Sequence, residues 1–380
     1  MNAIEQVRFA RVVRPMKTLF ATSLGRKSAA TSVLVKVTLD SGAVGVGEAP
    51  TSFALKHETV PAIARVLRAV RGELIDLSIE DYAGKVTELR RRFPAFRMTV
   101  SGLEVALFRA WLADRGVSEL EHWGGRTRKI ETDITIPFIR DEEMLTNWLT
   151  RAVRTGFGSY KVKVSGNPLV DVKLVRTVRD FLHGHLSGHA LKQSALGGHP
   201  SEDGAPSAHA SKDSVTRGNP PTIRLDGNQG FREETYMRMI DLLDRNRIGI
   251  ELFEQPLRKD DHVGLRNIRK RSAVPVILDE TVCDSADCRR AIEEGLGDGV
   301  NIKIAKSGIA DSAAIIDMAE RAGLKLMIGC MTETMVGLSA GICMAAGTGA
   351  FDFVDLDSIH FLFHKAREGN ITIAGPQYVL

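Results

Sequence analysis

The chain has 380 residues and a net charge of only +4. That length allows a large domain with a smaller one, and no run of Lys and Arg is dense enough to grip nucleic acid. The N-terminus MNAIEQVRFARVVRPMK lacks the apolar core of a secretory signal, and GLSAGICMAAGTGAF (337–351) is too short and glycine-rich to cross a membrane. The latter reads as a buried helix leading into a strand. Four cysteines, Cys283, Cys288, Cys330 and Cys343, show neither a disulfide framework nor zinc spacing. They imply reduced thiols and a cytoplasmic protein.

In chain order, VRFARVVRP, TSVLVKVTLD and GAVGVGEAP predict three strands, the last two joined at a turn over Asp40, Ser41 and Gly42. The helical patterns PAIARVLRAVRGEL, DYAGKVTELRRRF and VSGLEVALFRAWLADRG follow. A sheet followed by helices predicts an α+β domain over residues 1–125, ending near GGRTRK (124–129).

From residue 126 the pattern changes. ETDITIPFI, SYKVKV, TIRLDGN, IELFEQP, PVILDE, GVNIKI, KLMIGC and FDFVDLD are eight short runs rich in β-branched residues. Amphipathic helical patterns separate most of them, as in 233–246, 285–295 and 311–323. Alternating strands and helices predict an α/β fold, a (β/α)8 TIM-type barrel over 126–357. The tail 358–380 is expected to pack near the first domain. One interval is much longer than the rest. Its excess, at about 183–221, is rich in Gly, Ser, Ala, Pro and His, and reads as a flexible inserted loop on the face away from chemistry.

Barrel enzymes carry their chemistry at the C-terminal ends of the strands. Asp226, Glu254 and Asp279 end the third, fourth and fifth barrel strands. Three carboxylates converging in a low-dielectric mouth repel one another unless a cation joins them. Oxygen ligands favour a hard divalent ion, with Mg²⁺ the default. The bland alternative, three helix caps or surface ion pairs, does not explain why all three fall in register.

Lys161 and Lys163 are two apart on the second strand, so they share a face. Lys303 ends the sixth. Lys163 and Lys303 are expected to oppose each other across a bound substrate, with their pKa lowered by the metal and by each other. Two lysines on opposite faces of one carbon suit inversion: one removes the α-proton and the other returns a proton. The metal would stabilise the enediolate between the two steps. On the eighth strand Asp355 and Asp357 share a face. Buried acids need a cation, and Asp352 falls outside that pair.

At this point the motifs SGAVGVGEAP (41–50), KVKV (161–164), LDGNQG (225–230), FEQP (253–256), LDET (278–281), NIKIAKSG (301–308) and GCMTET (329–334) resemble the enolase superfamily, in its muconate-lactonizing-enzyme-like branch. Outside the insertion the resemblance runs from about residue 5 to the end. It implies an N-terminal α+β capping domain over the barrel mouth. It also implies Asp226, Glu254 and Asp279 as ligands to one Mg²⁺ per subunit, and Lys163 and Lys303 as the acid/base pair, with Lys161 as an electrostatic helper. VDLDS (354–358) looks like the Asp-x-Asp motif of the dipeptide epimerases, which grips a dipeptide's free ammonium. That likeness makes Asp355 and Asp357 substrate-binding residues, with Thr135, Cys330 and Met331 beside them. The implied substrate is an L-Ala-L-Xaa dipeptide epimerised at its C-terminal residue.

Two N-terminal loops, 21–31 and 50–59, would meet the Xaa side chain. Ala-Glu-specific members carry an arginine where this chain has Leu24 or Gly25. Arg26 or Lys27 would substitute for it, whereas Phe20, Leu24 and Phe53 favour an apolar side chain, so acidic and hydrophobic Xaa both stay open. The competing readings are an N-acylamino acid racemase, or a cycloisomerase or o-succinylbenzoate synthase, of the same branch. More remote is a non-catalytic barrel. Assembly into a homo-oligomer is left open.

Overall fold

The computed structural model describes residues 2–22, 25–53, 55–139, 141–195 and 220–380, with backbone alone for 18–22 and 186–195. Strands β1 (Ile4–Thr22), β2 (Gly25–Leu39) and β3 (Val44–Pro50) form an antiparallel sheet in that order. Gly42 makes the β2–β3 turn with φ 84°, a conformation that a Cβ disfavours. Helices α1 (Val60–Leu74), α2 (Tyr82–Arg92) and α3 (Arg97–Asp114) cover the sheet. Val33, Val35 and Val37 of β2 meet Ile63 and Leu67 of α1 and Leu103 and Leu107 of α3 in a core of their own.

Glycines let α3 sit directly on β3. A Cβ at Gly45 or Gly47 would lie 2.0 Å from the carbonyl oxygens of Ala106 and Gly102 respectively. This close approach is the physical content of GAVGVGEAP. The opposite side of α3 packs on the barrel, so α3 is buried from Met98 through Leu112 with few interruptions. A helix covered on both sides is expected to be apolar all round.

After a short helix α4 (Glu119–His122) and strand β4 (Lys129–Glu131), the chain runs through β5 (Ile134–Ile136), α5 (Glu142–Thr155), β6 (Ser159–Lys163), α6 (Pro168–Ala195) and β7 (Thr222–Asp226). It continues as α7 (Glu233–Arg245), β8 (Leu252–Glu254), α8 (His262–Arg271), β9 (Val276–Leu278), α9 (Ser285–Glu294) and β10 (Gly299–Ile302). Then come α10 (Ile304–Arg321), β11 (Lys325–Gly329), α11 (Met335–Thr348), β12 (Phe353–Asp355) and α12 (Ser358–Phe361). Strands β5 to β12 form one eight-stranded parallel sheet in sequence order. Asp133 N donates to Val354 O at 3.1 Å and joins its two edges. The eighth helix, α12, is a single turn.

The tail forms β13 (Arg367–Glu368), β14 (Ile371–Ala374) and β15 (Gln377–Val379), which pair with β4 in a small antiparallel sheet. Its start meets the N-terminal sheet, where Leu362 bridges to Met16.

The insertion differs from expectation. Helix α6 continues through 183–195, about a third of the way into the stretch expected as loop. Gly184 and Gly188 read as breakers, but Leu186, Ala190, Leu191, Lys192 and Gln193 are good helix formers and outweigh them. Residues 196–219 of that stretch lie outside the described residues.

Candidate active site

The ends of the barrel strands and the N-terminal sheet enclose a cavity of about 210 Å³. Lys161, Lys163, Asp279, Lys303, Asp355 and Asp357 all line it. In the eight-stranded ring β6 and β10 stand four places apart, so Lys163 and Lys303 approach from opposite sides. Strands β7, β8 and β9, which carry Asp226, Glu254 and Asp279 at or just beyond their ends, fill one arc between them. β12, with Asp355 at its end and Asp357 just beyond, lies in the other arc, opposite β8. Register levels the carboxylates: Lys163 pairs with Asp226, and Asp226 with Glu254.

Asp226 and Glu254 are fully buried and Asp279 nearly so. The lysines interleave with them. Lys163 bonds Asp226, Lys161 Nζ lies 3.2 Å from Glu254, and Lys303 Nζ lies 2.6 Å from Asp279. Burial pushes the Asp226 and Asp279 carboxyls upward, but the ammoniums outweigh it and hold both below the usual range. Burial alone would lower Lys303, yet Asp279 and then Glu254 hold it well above its ordinary value. The lowered lysine expected from sequence concerns a site with its metal bound, whereas in the protein alone these carboxylates touch Lys303 directly. A cation drawing on those carboxylates would weaken that hold.

The donor set fits a hard divalent cation. It offers three carboxylates from neighbouring strands, and beside them Asn228 Oδ1 and Glu280 Oε2 are buried acceptors without a partner. The three carboxylates do not form the tightest acid cluster among the described residues. That cluster is Asp133, Asp355 and Asp357, with one oxygen of each within 4.8 Å of the others. The difference arises because ammoniums stand between the three expected ligands.

Asp355 bonds Lys161, and its Oδ1 is buried without a partner. Asp357 accepts from Thr135 N at 2.6 Å, and burial, then Asp355, pushes its carboxyl up to about 6. Both acids therefore retain room for a further cation. Cys330 and Met331 line the same wall with Thr332. Asp352 is remote from this site: it is exposed and accepts from Leu326 N at 2.9 Å.

The N-terminal wall corrects one expectation. Arg26 is exposed and does not reach the cavity, whereas Lys27 lines it. Alternation along β2 sends neighbouring side chains to opposite faces. Lys27 Nζ sits 5.0 Å from the Phe53 ring centre, and burial lowers its pKa to about 8. Gly25 supports Phe53 from behind, since a Cβ there would lie 2.8 Å from the ring. Leu24 and the side chain of Phe20 lie outside the described residues.

Sequence reasoning left out several positioning residues. Lys306 Nζ donates to both the carbonyl and the carboxylate of Asp279. It sits in NIKIAKSG but not at a strand end. Buried Gln255, left-handed at φ 32°, accepts from Asp279 N at 2.9 Å and fixes that strand end. Asp133 ties Arg224 at 2.8 Å beneath Asp355. The FEQP motif and an acid inside DITI were the available signals.

A barrel mouth with opposed lysines and a carboxylate arc defines an enzyme of the enolase superfamily, and the enolase C-terminal domain-like family matches residues 189–379. The chain belongs to this family, in the muconate-lactonizing-enzyme-like branch, among relatives named as dipeptide epimerases. It is 31% identical to the L-Ala-D/L-Glu epimerase of Thermotoga maritima over 91% of this chain and 89% of that protein. It is 28% identical to the aromatic dipeptide epimerase of Herpetosiphon aurantiacus, covering 98% of this chain and 95% of the other. The substrate-liganded structure of the Bacillus subtilis L-Ala-D/L-Glu epimerase superposes with a TM-score of 0.85 at 26% identity, covering 100% of this chain and 96% of that one.

Proposed function

We propose that the protein is a Mg²⁺-dependent dipeptide epimerase that inverts the α-carbon of the C-terminal residue of L-Ala-L-Xaa dipeptides. The observation that carries this reading is one cavity lined by Lys163 and Lys303 from opposite sides and by Asp355 and Asp357 from a third. Residues 1–125 act as the cap that closes it. Asp226, Glu254 and Asp279 would hold the ion, which when bound would supply positive charge to the substrate carboxylate and make the neighbouring α-proton more acidic.

The protein's own groups do the rest. Asp355 and Asp357 bind the free ammonium of the first residue, so the dipeptide spans the mouth from β12 toward β8. That placement sets the second α-carbon between the two lysines. A neutral lysine on one side accepts the proton, leaving a planar carbon. The ammonium of the other lysine delivers a proton to the opposite face. Each turnover exchanges the protonation states of Lys163 and Lys303, and proton exchange with solvent once the product has left restores them and admits deuterium. Buried walls keep water from reprotonating the carbon.

The side-chain subsite favours an acidic Xaa. Lys27 is a half-buried cation with no carboxylate partner among the described residues, and an acidic side chain would neutralise it. Phe53, Leu55 and Met16 would contact the methylenes of that side chain. Among the described residues no helix is long and apolar enough to cross a membrane. The described structure leaves all four cysteines free, in keeping with a cytoplasmic setting.

The test is deuterium incorporation in D₂O with Mg²⁺ and pooled L-Ala-L-Xaa dipeptides, read by mass spectrometry. A one-dalton gain in dipeptides with an acidic second residue, lost on blocking the α-amine, is the expected result. Exchange of N-acyl amino acids with no exchange of free dipeptides would replace this reading with the racemase alternative.

A further inference from the structure

A second cavity, of about 200 Å³, lies behind one wall of the first. Trp148, Arg151 and Thr155 of α5, His360 of α12 and Lys17 of β1 line it, with His364 at one side. Among the described residues no carboxylate lines it. Among the described residues, neither Lys17 nor Arg151 forms an ion pair with an acid within 4.0 Å.

The basic groups are held in place without being neutralised. Lys17 Nζ donates to His360 O at 3.2 Å, and the Arg151 guanidinium lies 5.0 Å from the Trp148 ring centre. His360 is 7% exposed, and its Nε2 is buried with no hydrogen-bond partner. Burial, then Arg151, lowers the Lys17 pKa. Burial, then His364, Lys17 and Arg151, pushes His360 down to about 3. A cluster of basic groups with no acid partner among the described residues, around a small partly open space, is the electrostatic complement of an anion.

We propose that this cavity binds a small dianionic oxyanion of the phosphate class, held chiefly by Lys17 and Arg151. Two permanent cations match two negative charges, the volume suits a small ion, and a guanidinium fork matches tetrahedral oxyanion geometry. The site also touches the active-site wall. Met16 and Phe361 line the catalytic cavity, while their chain neighbours Lys17 and His360 line this one. An anion held by β1 and α5 beside α12 therefore braces the cap where Met16 bridges to Leu362.

The experiment titrates the full-length protein with inorganic phosphate, reading tryptophan fluorescence and calorimetric heat. The expected result is one saturable site with Kd on the order of 1 mM, selective for phosphate over chloride at matched ionic strength. Arg151→Gln and Lys17→Gln should each weaken binding about tenfold or more. Trp148→Phe should remove the fluorescence signal but keep the heat. Lys163→Ala, altered only in the catalytic cavity, should bind as before. Absence of binding, equal response to chloride, or binding that survives both cation substitutions would overturn the proposal. Arg151 is exposed, so Arg151→Gln is expected to fold, which circular dichroism checks. Neither readout depends on dipeptide turnover, so the outcome is separate from the fate of the epimerase reading.

Discussion

At the scale of single residues, the two lysines carry distinct and separable losses. Lys163→Ala and Lys303→Ala should each lower kcat for epimerisation about 10³-fold. Each variant should retain slow α-proton exchange with only the enantiomer facing its surviving lysine, so exchange of L,L- and L,D-dipeptides measured separately checks the assignment. Retention of full epimerisation in either variant would remove it from the acid/base pair. Asp357 supplies the pH dependence. Its carboxyl is raised to about 6 by burial and by Asp355, so protonation below that value removes one negative charge from the ammonium site. KM for a free-amine dipeptide should therefore rise as pH falls through about 6, and Asp357→Asn should flatten that limb. The same shift has a sign for folding. The native carboxyl binds its proton more tightly than an unfolded aspartate does, so this group lowers stability as pH rises from about 4 to about 6. Lys27→Met should move preference from acidic toward apolar Xaa, measured as a ratio of kcat/KM values.

At the scale of elements, the cap and the barrel are fastened by buried polar groups rather than by apolar contact alone. Glu48 at the end of β3 accepts from Ser32 Oγ at 2.6 Å, from Thr334 Oγ1 at 2.6 Å and from Gly337 N at 2.9 Å. It thereby caps the first turn of α11 from another sheet. Arg109 of α3 donates to Val336 O and to Ser339 Oγ, each at 2.8 Å. Glu104 of α3 accepts from Ala310 N of α10 at 2.9 Å. Glu48→Ala strands several buried donors at once and should destabilise the fold by about 2–3 kcal/mol in a denaturant titration. An unchanged midpoint would show that water or another acceptor already serves α11.

For the whole molecule, Asp226, Glu254, Asp279 and Asp355 interleave with Lys161, Lys163, Lys303 and Lys306 in one buried ion-pair network at the barrel mouth. Divalent binding should be visible without turnover. Mg²⁺ at about 100-fold its Kd should add about 2.7 kcal/mol to unfolding, read as a Tm rise by calorimetry. Chelation should remove both that rise and the deuterium exchange. A Tm indifferent to Mg²⁺ would count against Asp226, Glu254 and Asp279 as its ligands.

The barrel and the placement of charged residues at its mouth were legible in the chain because both depend on local order. Strand ends in a parallel barrel all open to one face, so a charged residue at the end of each β-branched run is placed there by position alone. Lys163, Asp226, Glu254, Asp279, Lys303, Asp355 and Asp357 follow from that rule. Other features depended on segments far apart in sequence. Lys27 faces the cavity and Arg26 does not because packing against Phe53 sets which face of β2 turns inward. Lys306, Asp133 and Glu48 gain their roles from neighbours that only chain folding supplies. The helix through 183–195 outlasted its glycines. The cations Lys17 and Arg151 and the buried imidazole of His360 lie far apart along the chain, and only tertiary structure brings them to one cavity. Local periodicity and position are properties of the chain; side-chain direction and long-range partnership are properties of register and packing.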